Sequence, residues 1–288
     1  MRQISQFSGL ASYSALGLAL LLAGCSGGEA DRTAATNAAK GLDTAAVTNA
    51  AAPPAPPAPG PQSLTTKLAG FEFSYKWPAA ASAIPPLNDW LRGNGEKLLA
   101  QNRAQAMADR AEAKKDGYDF PGSSYEEDYA TVADTPHMLA LLSEGYVYTG
   151  GAHGMPINTA ILWDKVAQKR VGTGAMIDLP RFTAAARTRF CAELDKQRAE
   201  KRGEPVRHDD PNEISEFNQC VDMAKQLILP VSAKGASGGA ALDMVRVVIG
   251  PYEAGPYAEG SYVIDLPMTA ALLATVKPAY KAAFAAAR

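Results

Sequence analysis

Histidine and cysteine are scarce, with three of each in 288 residues. His137, His153 and His208 stand 16 and 55 residues apart, so no His-x-x-x-His or Glu-x-x-His pair falls within one element and the ligand spacing of a zinc site is missing. Ser-x-x-Lys does not occur, and no histidine lies close in sequence to Cys191 or Cys220, so neither pattern signals a primed nucleophile. No excess of either charge exists: 28 Lys and Arg stand against 30 Asp and Glu, a formal charge of −2, which excludes nucleic-acid capture by phosphate neutralisation. No apolar run reaches the roughly 20 residues of a transmembrane helix, and no repeat recurs at a fixed period. What is present, 47% hydrophobic and 20% charged residues, is the composition of a globular chain with a real core.

The amino end reads as an address. Residues 1–24 carry Arg2, no acid and the apolar stretch Ala15 to Leu22, the pattern of a secretion signal. The run closes on Leu22-Ala23-Gly24-Cys25, which resembles a bacterial lipobox and implies acylation of Cys25. Cleavage there leaves 288 − 24 = 264 residues and a charge of −2 − 1 = −3, because Arg2 departs. Ser26, rather than Asp, follows the lipidated position and favours outer-membrane sorting. Residues 25–62 form an Ala/Pro-rich tether. Its 37 residues from Ser26 contain twelve Ala, six Pro and no aromatic, too little apolar surface to offset the entropy of ordering. A flexible chain of this length reaches roughly 35 Å, clear of a bilayer.

The remainder predicts an α+β fold: antiparallel sheet with helices packed on one face, in two small subdomains at 63–148 and 149–288. Alternating Phe71, Phe73, Tyr75 and Trp77 indicate a strand over 71–77. Pro85-Pro86 opens a long helix and Asp116-Gly117 stops it. Strands are expected over 124–132, 138–148 and 158–163, with a glycine-rich turn at 150–154. Asp178 caps a second helix whose Phe182, Ala186, Phe190 and Leu194 recur every fourth residue, and Lys201-Arg202-Gly203 ends it. A third helix starting near Asn212 is expected to present Ile214, Phe217, Val221 and Leu227. Strands at 242–249 and 261–266 and a short helix at 278–287 complete the chain. Cys191 and Cys220, on consecutive predicted helices of an exported chain, are expected to form a disulfide worth about 3 kcal/mol; the alternative is two separate buried thiols.

Two blocks carry a family resemblance. Glu144-Gly145-Tyr146-Val147-Tyr148-Thr149-Gly150-Gly151-Ala152-His153-Gly154, with Trp163-Asp164 ending the next strand, resembles the Gly-Gly-Ala-His signature of an envelope domain of unknown function. That domain forms the extracellular region of the anti-sigma factor RsiV and accompanies the catalytic domain of the peptidoglycan deacetylase PdaC. Val248-Ile249-Gly250-Pro251-Tyr252-Glu253-Ala254-Gly255-Pro256-Tyr257 resembles that family's closing segment. The layout from Phe71 to Tyr148 is similar to the PdaC-type domain that usually precedes it. The resemblance spans most of 68–273 and implies an α+β fold and binding at the cell envelope, with lysozyme the ligand in the RsiV case. The sigma-binding region, transmembrane helix and deacetylase domain of those proteins have no counterpart here, so an anti-sigma role is not part of the expectation.

The candidate binding residues are therefore His153, Gly150, Gly151, Tyr252 and Tyr257. His153 either makes an exposed contact, with Glu144 and Asp164 in the flanking strands, or bonds backbone to hold two strands while the glycines supply positive φ. Tyr252 and Tyr257 are loop aromatics of the kind that anchor interfaces, or they cover the edge of the core. Glu126-Glu127-Asp128 reads as a solvated strand edge. The run His208-Asp209-Asp210-Pro211-Asn212-Glu213 is either a cation site or a helix cap, with Asp210 or Asn212 accepting amide hydrogen bonds and Glu213 at the positive end. No catalytic residue, metal site or cofactor is assigned. The expectation is a lipid-anchored, periplasm-facing binding module for peptidoglycan or an envelope protein such as a lysozyme-like hydrolase. The rival readings are a peptidoglycan-directed hydrolase or deacetylase-type enzyme and a structural envelope lipoprotein.

Overall fold

The computed structural model describes residues 59–208 and 215–287. The signal segment, Cys25, the tether as far as residue 58, and Asp209 to Ile214, which hold the expected cap, lie outside the described residues.

A seven-stranded sheet is built from β1 (Gln62–Leu68), β2 (Phe71–Trp77), β3 (Ser123–Asp134), β4 (Met138–Tyr148), β5 (Met155–Ile157), β6 (Ala160–Asp164) and β7 (Lys169–Val171). Its order is β1-β2-β3-β4-β6-β7, with β5 added beside β4. Every pair is antiparallel except β2 and β3, which the long helix α1 (Pro85–Asp116) joins as a crossover. Pro85 and Pro86 open α1, and Gly117 closes it at φ 78°.

A three-stranded antiparallel sheet, in the order β10-β9-β8, comprises β8 (Leu227–Val231), β9 (Met244–Ile249) and β10 (Tyr262–Pro267). The second helix, α2 (Leu179–Arg202), covers one face of it. Asp178 accepts the Arg181 amide as N-cap and Gly203 ends the helix at φ 77°. The fold is thus α+β, with a helix on one face of each sheet.

Strand β4 joins the two halves by contributing alternate side chains to the core of each. Met138 to Ser143 are all buried, the mark of a strand covered on both faces. Leu139 and Leu141 join Tyr75, Trp77, Leu87 and Leu91 under α1. Met138 and Ala140 face Phe182, Phe190 and Leu194 of α2, with Val245 and Val247 of β9. The expected subdomain boundary at 148 falls inside the larger sheet, which continues through β7.

Two expectations need correction. The third helix is a single turn, Ser215–Asn218, among the described residues, and Leu227 opens β8. The apolar run Leu227-Ile228-Leu229-Pro230-Val231 is a sheet edge, where the missing N–H of Pro230 costs least. Glu127 is no solvated edge residue: β3 is an interior strand whose inward positions are 125, 127 and 129, and Glu127 is only 3% exposed. Its carboxylate accepts hydrogen bonds from Tyr125 (2.6 Å) and Ser143 (2.8 Å). Glu126 and Asp128 point to solvent as expected.

Candidate binding surface at the glycine-rich turn

Between β4 and β5 the chain reverses through Gly150 and Gly151, both at φ 95°, a conformation in which a side chain would be strained. Gly154 is required for another reason: a Cβ there would lie 2.5 Å from the Val147 carbonyl and 2.6 Å from the Tyr146 ring. The Gly154 amide donates to the Tyr146 hydroxyl (2.8 Å), and the Tyr148 hydroxyl donates to Gly151 O (3.1 Å), so β4 ties down its own turn.

His153 is exposed, and its Nδ1 lies 3.0 Å from Gly154 O. A carbonyl only accepts, so Nδ1 carries the proton and Nε2 is left to accept from the Tyr252 hydroxyl at 3.4 Å. The imidazole stacks on Tyr257, with centroids 4.0 Å apart at 24°, and the Tyr257 hydroxyl donates to the same Gly154 O (2.8 Å). Tyr252 lies 5.7 Å from Tyr257, centroid to centroid. The neighbouring Tyr146 phenol holds the Tyr257 pKa above its ordinary value. His153, Tyr252 and Tyr257 therefore form one aromatic surface, which Tyr146 joins. Gly150 and Gly151 line an adjoining groove of about 480 Å³ with Asp109, Glu112 and Tyr118.

The loop between β9 and β10 that supplies both tyrosines is held from behind by the end of α2. Arg198 is completely buried; its Nε donates to Ala254 O (2.9 Å), and its terminal nitrogens reach Asp195 (3.1 Å), Gln219 O (2.9 Å) and Asn218 O (3.4 Å). Burial lowers the Arg198 pKa, and the hydrogen bond to Asp195 opposes that shift. Arg202 pairs with Glu259 at 2.8 Å, and Tyr262 bonds the same carboxylate. Burial opposes the Glu259 charge, yet the hydrogen bonds from Arg202 and Tyr262 hold its pKa below the ordinary value. Lys201 caps the Glu259 and Ser261 carbonyls. Cys191 and Cys220 form the expected disulfide, Cα to Cα 5.3 Å, which pins the segment bearing Gln219 to α2.

The other candidates have structural partners. Asp164 closes the β6–β7 turn by accepting the Val166 and Ala167 amides at 2.9 and 2.8 Å, and Glu144 faces solvent. His208 bridges Asn218 O (2.7 Å) and Asp195 (3.1 Å). Among the described residues no three His, Cys, Asp or Glu side chains gather as a metal site. Sequence reasoning missed Tyr146, which alternation alone leaves on an outer face. It also missed Arg198, although the signal was there: 198 continues the four-residue stripe 182, 186, 190, 194.

Residues 65–156, 92 of the 288, match the family model described as deacetylase PdaC. Among solved structures, the chain is similar to a DUF3298 family protein from Pseudomonas aeruginosa: 17% identity, 81% of this chain and 99% of that one covered, TM-score 0.44. It is also similar to a DUF3298 member from Bacteroides fragilis, with 12% identity, 77% and 93% covered, TM-score 0.45. No curated protein matches it. The similarity to the PdaC model runs from within β1 to β5 and so takes in the whole turn that carries His153.

Proposed function

We propose that this chain is a binding module of the bacterial cell envelope, tethered through an acylated Cys25 to the outer membrane and facing the periplasm. Its ligand is a cell-wall polymer or an envelope protein such as a lysozyme-like hydrolase, engaged by the surface of His153, Tyr252 and Tyr257. The observation that carries this reading is the placement of Tyr252. It is a non-glycine residue held at φ 68° with half its surface open to solvent, and its hydroxyl meets a histidine 99 positions away. Left-handed backbone at a bulky residue costs about 1–3 kcal/mol and persists where the surrounding structure imposes it, as at ligand-binding positions. Aromatic side chains anchored on rigid loops are typical energetic centres of recognition surfaces.

The test is retention of the full chain on insoluble peptidoglycan and on immobilised lysozyme. The reading predicts retention on at least one matrix, reduced tenfold or more, about 1.4 kcal/mol, by Tyr252→Ala or His153→Ala. No retention on either, or retention indifferent to both substitutions, overturns it.

A further inference from the structure

Exposed large hydrophobic side chains are not scattered evenly over the described residues. Of the eight, Tyr146, Met155 and Tyr252 lie on or beside the surface already described, and Val166 and Val263 fall elsewhere. The other three are Leu68, Met107 and Tyr118, exposed by 44%, 65% and 56%, and they gather where the β1–β2 turn meets the second half of α1.

The same place concentrates positive charge. Arg103, Met107, Arg110 and Lys114 follow one another at helical spacing along one flank of α1. The ion pairs of the described residues include none of these three cations; Arg110 makes only a 3.4 Å contact to Ala69 O. Two shallow cavities, about 210 and 470 Å³, share Ala69, Gly70, Arg110 and Phe120 as walls, and Asp119 is the one acid lining either. A chain whose formal charge is −2 thus collects unpaired cations around exposed aliphatic side chains at one site.

We propose that this patch is a second interaction surface, which rests on an anionic lipid membrane. Charge complementarity selects that occupant. Guanidinium and ammonium groups on flexible stems pair with phosphate headgroups, while Leu68 and Met107 enter between them; a basic flank beside an apolar one is how helices settle on anionic bilayers. The surface shares Tyr118 and Phe120 with the groove that Gly150 and Gly151 line, but Leu68, Met107, Arg103, Arg110 and Lys114 lie outside that groove. The lipid anchor proposed above brings it close to a membrane but supplies none of its chemistry.

Hydroxyl-radical footprinting of the full chain tests it side chain by side chain. Methionine is a sensitive reporter, and Met155, on the other surface, is the internal control. With vesicles containing phosphatidylglycerol, Met107 oxidation is expected to slow about threefold or more, while Met155 is unaffected. All-phosphatidylcholine vesicles are expected to give no protection, and Arg103→Glu with Arg110→Glu, both solvent-exposed positions that leave the core intact, to abolish it. The proposal is overturned if Met107 is not protected, is protected equally on neutral vesicles, is protected only in step with Met155, or stays protected in the double variant.

Discussion

Replacing Arg198 by Met removes the buried guanidinium but keeps much of the side chain's volume, so its partners lose a donor without a large cavity opening. The Ala254 carbonyl, on a fully buried residue, is then left unpaired, and an unsatisfied buried acceptor costs about 1–3 kcal/mol. Gln219 is exposed and its carbonyl recovers water. Asp195, with its side chain 28% exposed, keeps His208 as a partner, so its loss is far below the 3–5 kcal/mol of a fully buried orphan charge. The sum is about 3 kcal/mol, or a melting temperature lowered by about 6–12 °C for a folded unit of this size. Because Arg198 joins α2 to the loop between β9 and β10, the damage is also local: amide exchange over 253–260 rises before the large sheet opens. Arg198→Lys keeps the charge but cannot span three carbonyls with one ammonium, so it falls between the two. Circular dichroism melting and hydrogen-exchange mass spectrometry decide the matter. A shift under about 2 °C with unchanged exchange at 253–260 would refute the reasoning.

Reducing the Cys191–Cys220 bond, whose partners are 29 positions apart, is expected to cost about 3–4 kcal/mol by loop entropy, read as the difference between melts with and without reductant. Tyr252→Asn places a residue that tolerates the left-handed region at φ 68°, so the melting temperature is expected to hold or rise by the equivalent of up to about 1 kcal/mol while ligand retention falls. Alkali is expected to unfold the chain through its buried phenols. Burial, above all, raises Tyr75 from 10.0 to about 12, and raises Tyr125 and Tyr129 too. The native state holds these protons more tightly than the unfolded chain, so the stability they contribute is complete below pH 10 and is lost as pH climbs toward 12. Tyrosinate absorbance followed beside near-ultraviolet circular dichroism checks this, the two transitions coinciding.

Elements with a period and a punctuation mark were legible. Residues 71–77 alternate and form β2; Pro85-Pro86 and Gly117 bracket α1; Asp178 and Gly203 bracket α2. Strand β8 was not, because five consecutive apolar residues have no period and suit a buried helix as well as a strand. The parallel pairing of β2 with β3 is a consequence of the long crossover, not of either strand's residues. The site was half legible. Its glycines and aromatics stood out singly, but the meeting of His153 with Tyr252 and Tyr257 depends on two turns from different sheets coming together, which no local pattern encodes. Arg198 and Glu127 share one physical rule: an inward position on a helix stripe or a strand face buries even a charged side chain when hydrogen-bond partners are there to meet it.

The central claim is that recognition occurs at the stacked aromatic surface beside the glycine-rich turn. Heteronuclear NMR of the isotope-labelled chain, titrated with soluble peptidoglycan fragments and separately with lysozyme, tests it most directly. The account predicts that one titrant moves the His153, Tyr252 and Tyr257 ring signals first and most, and that the binding isotherm weakens in Tyr252→Ala. Shifts centred on any other face, or none with either titrant, would contradict it.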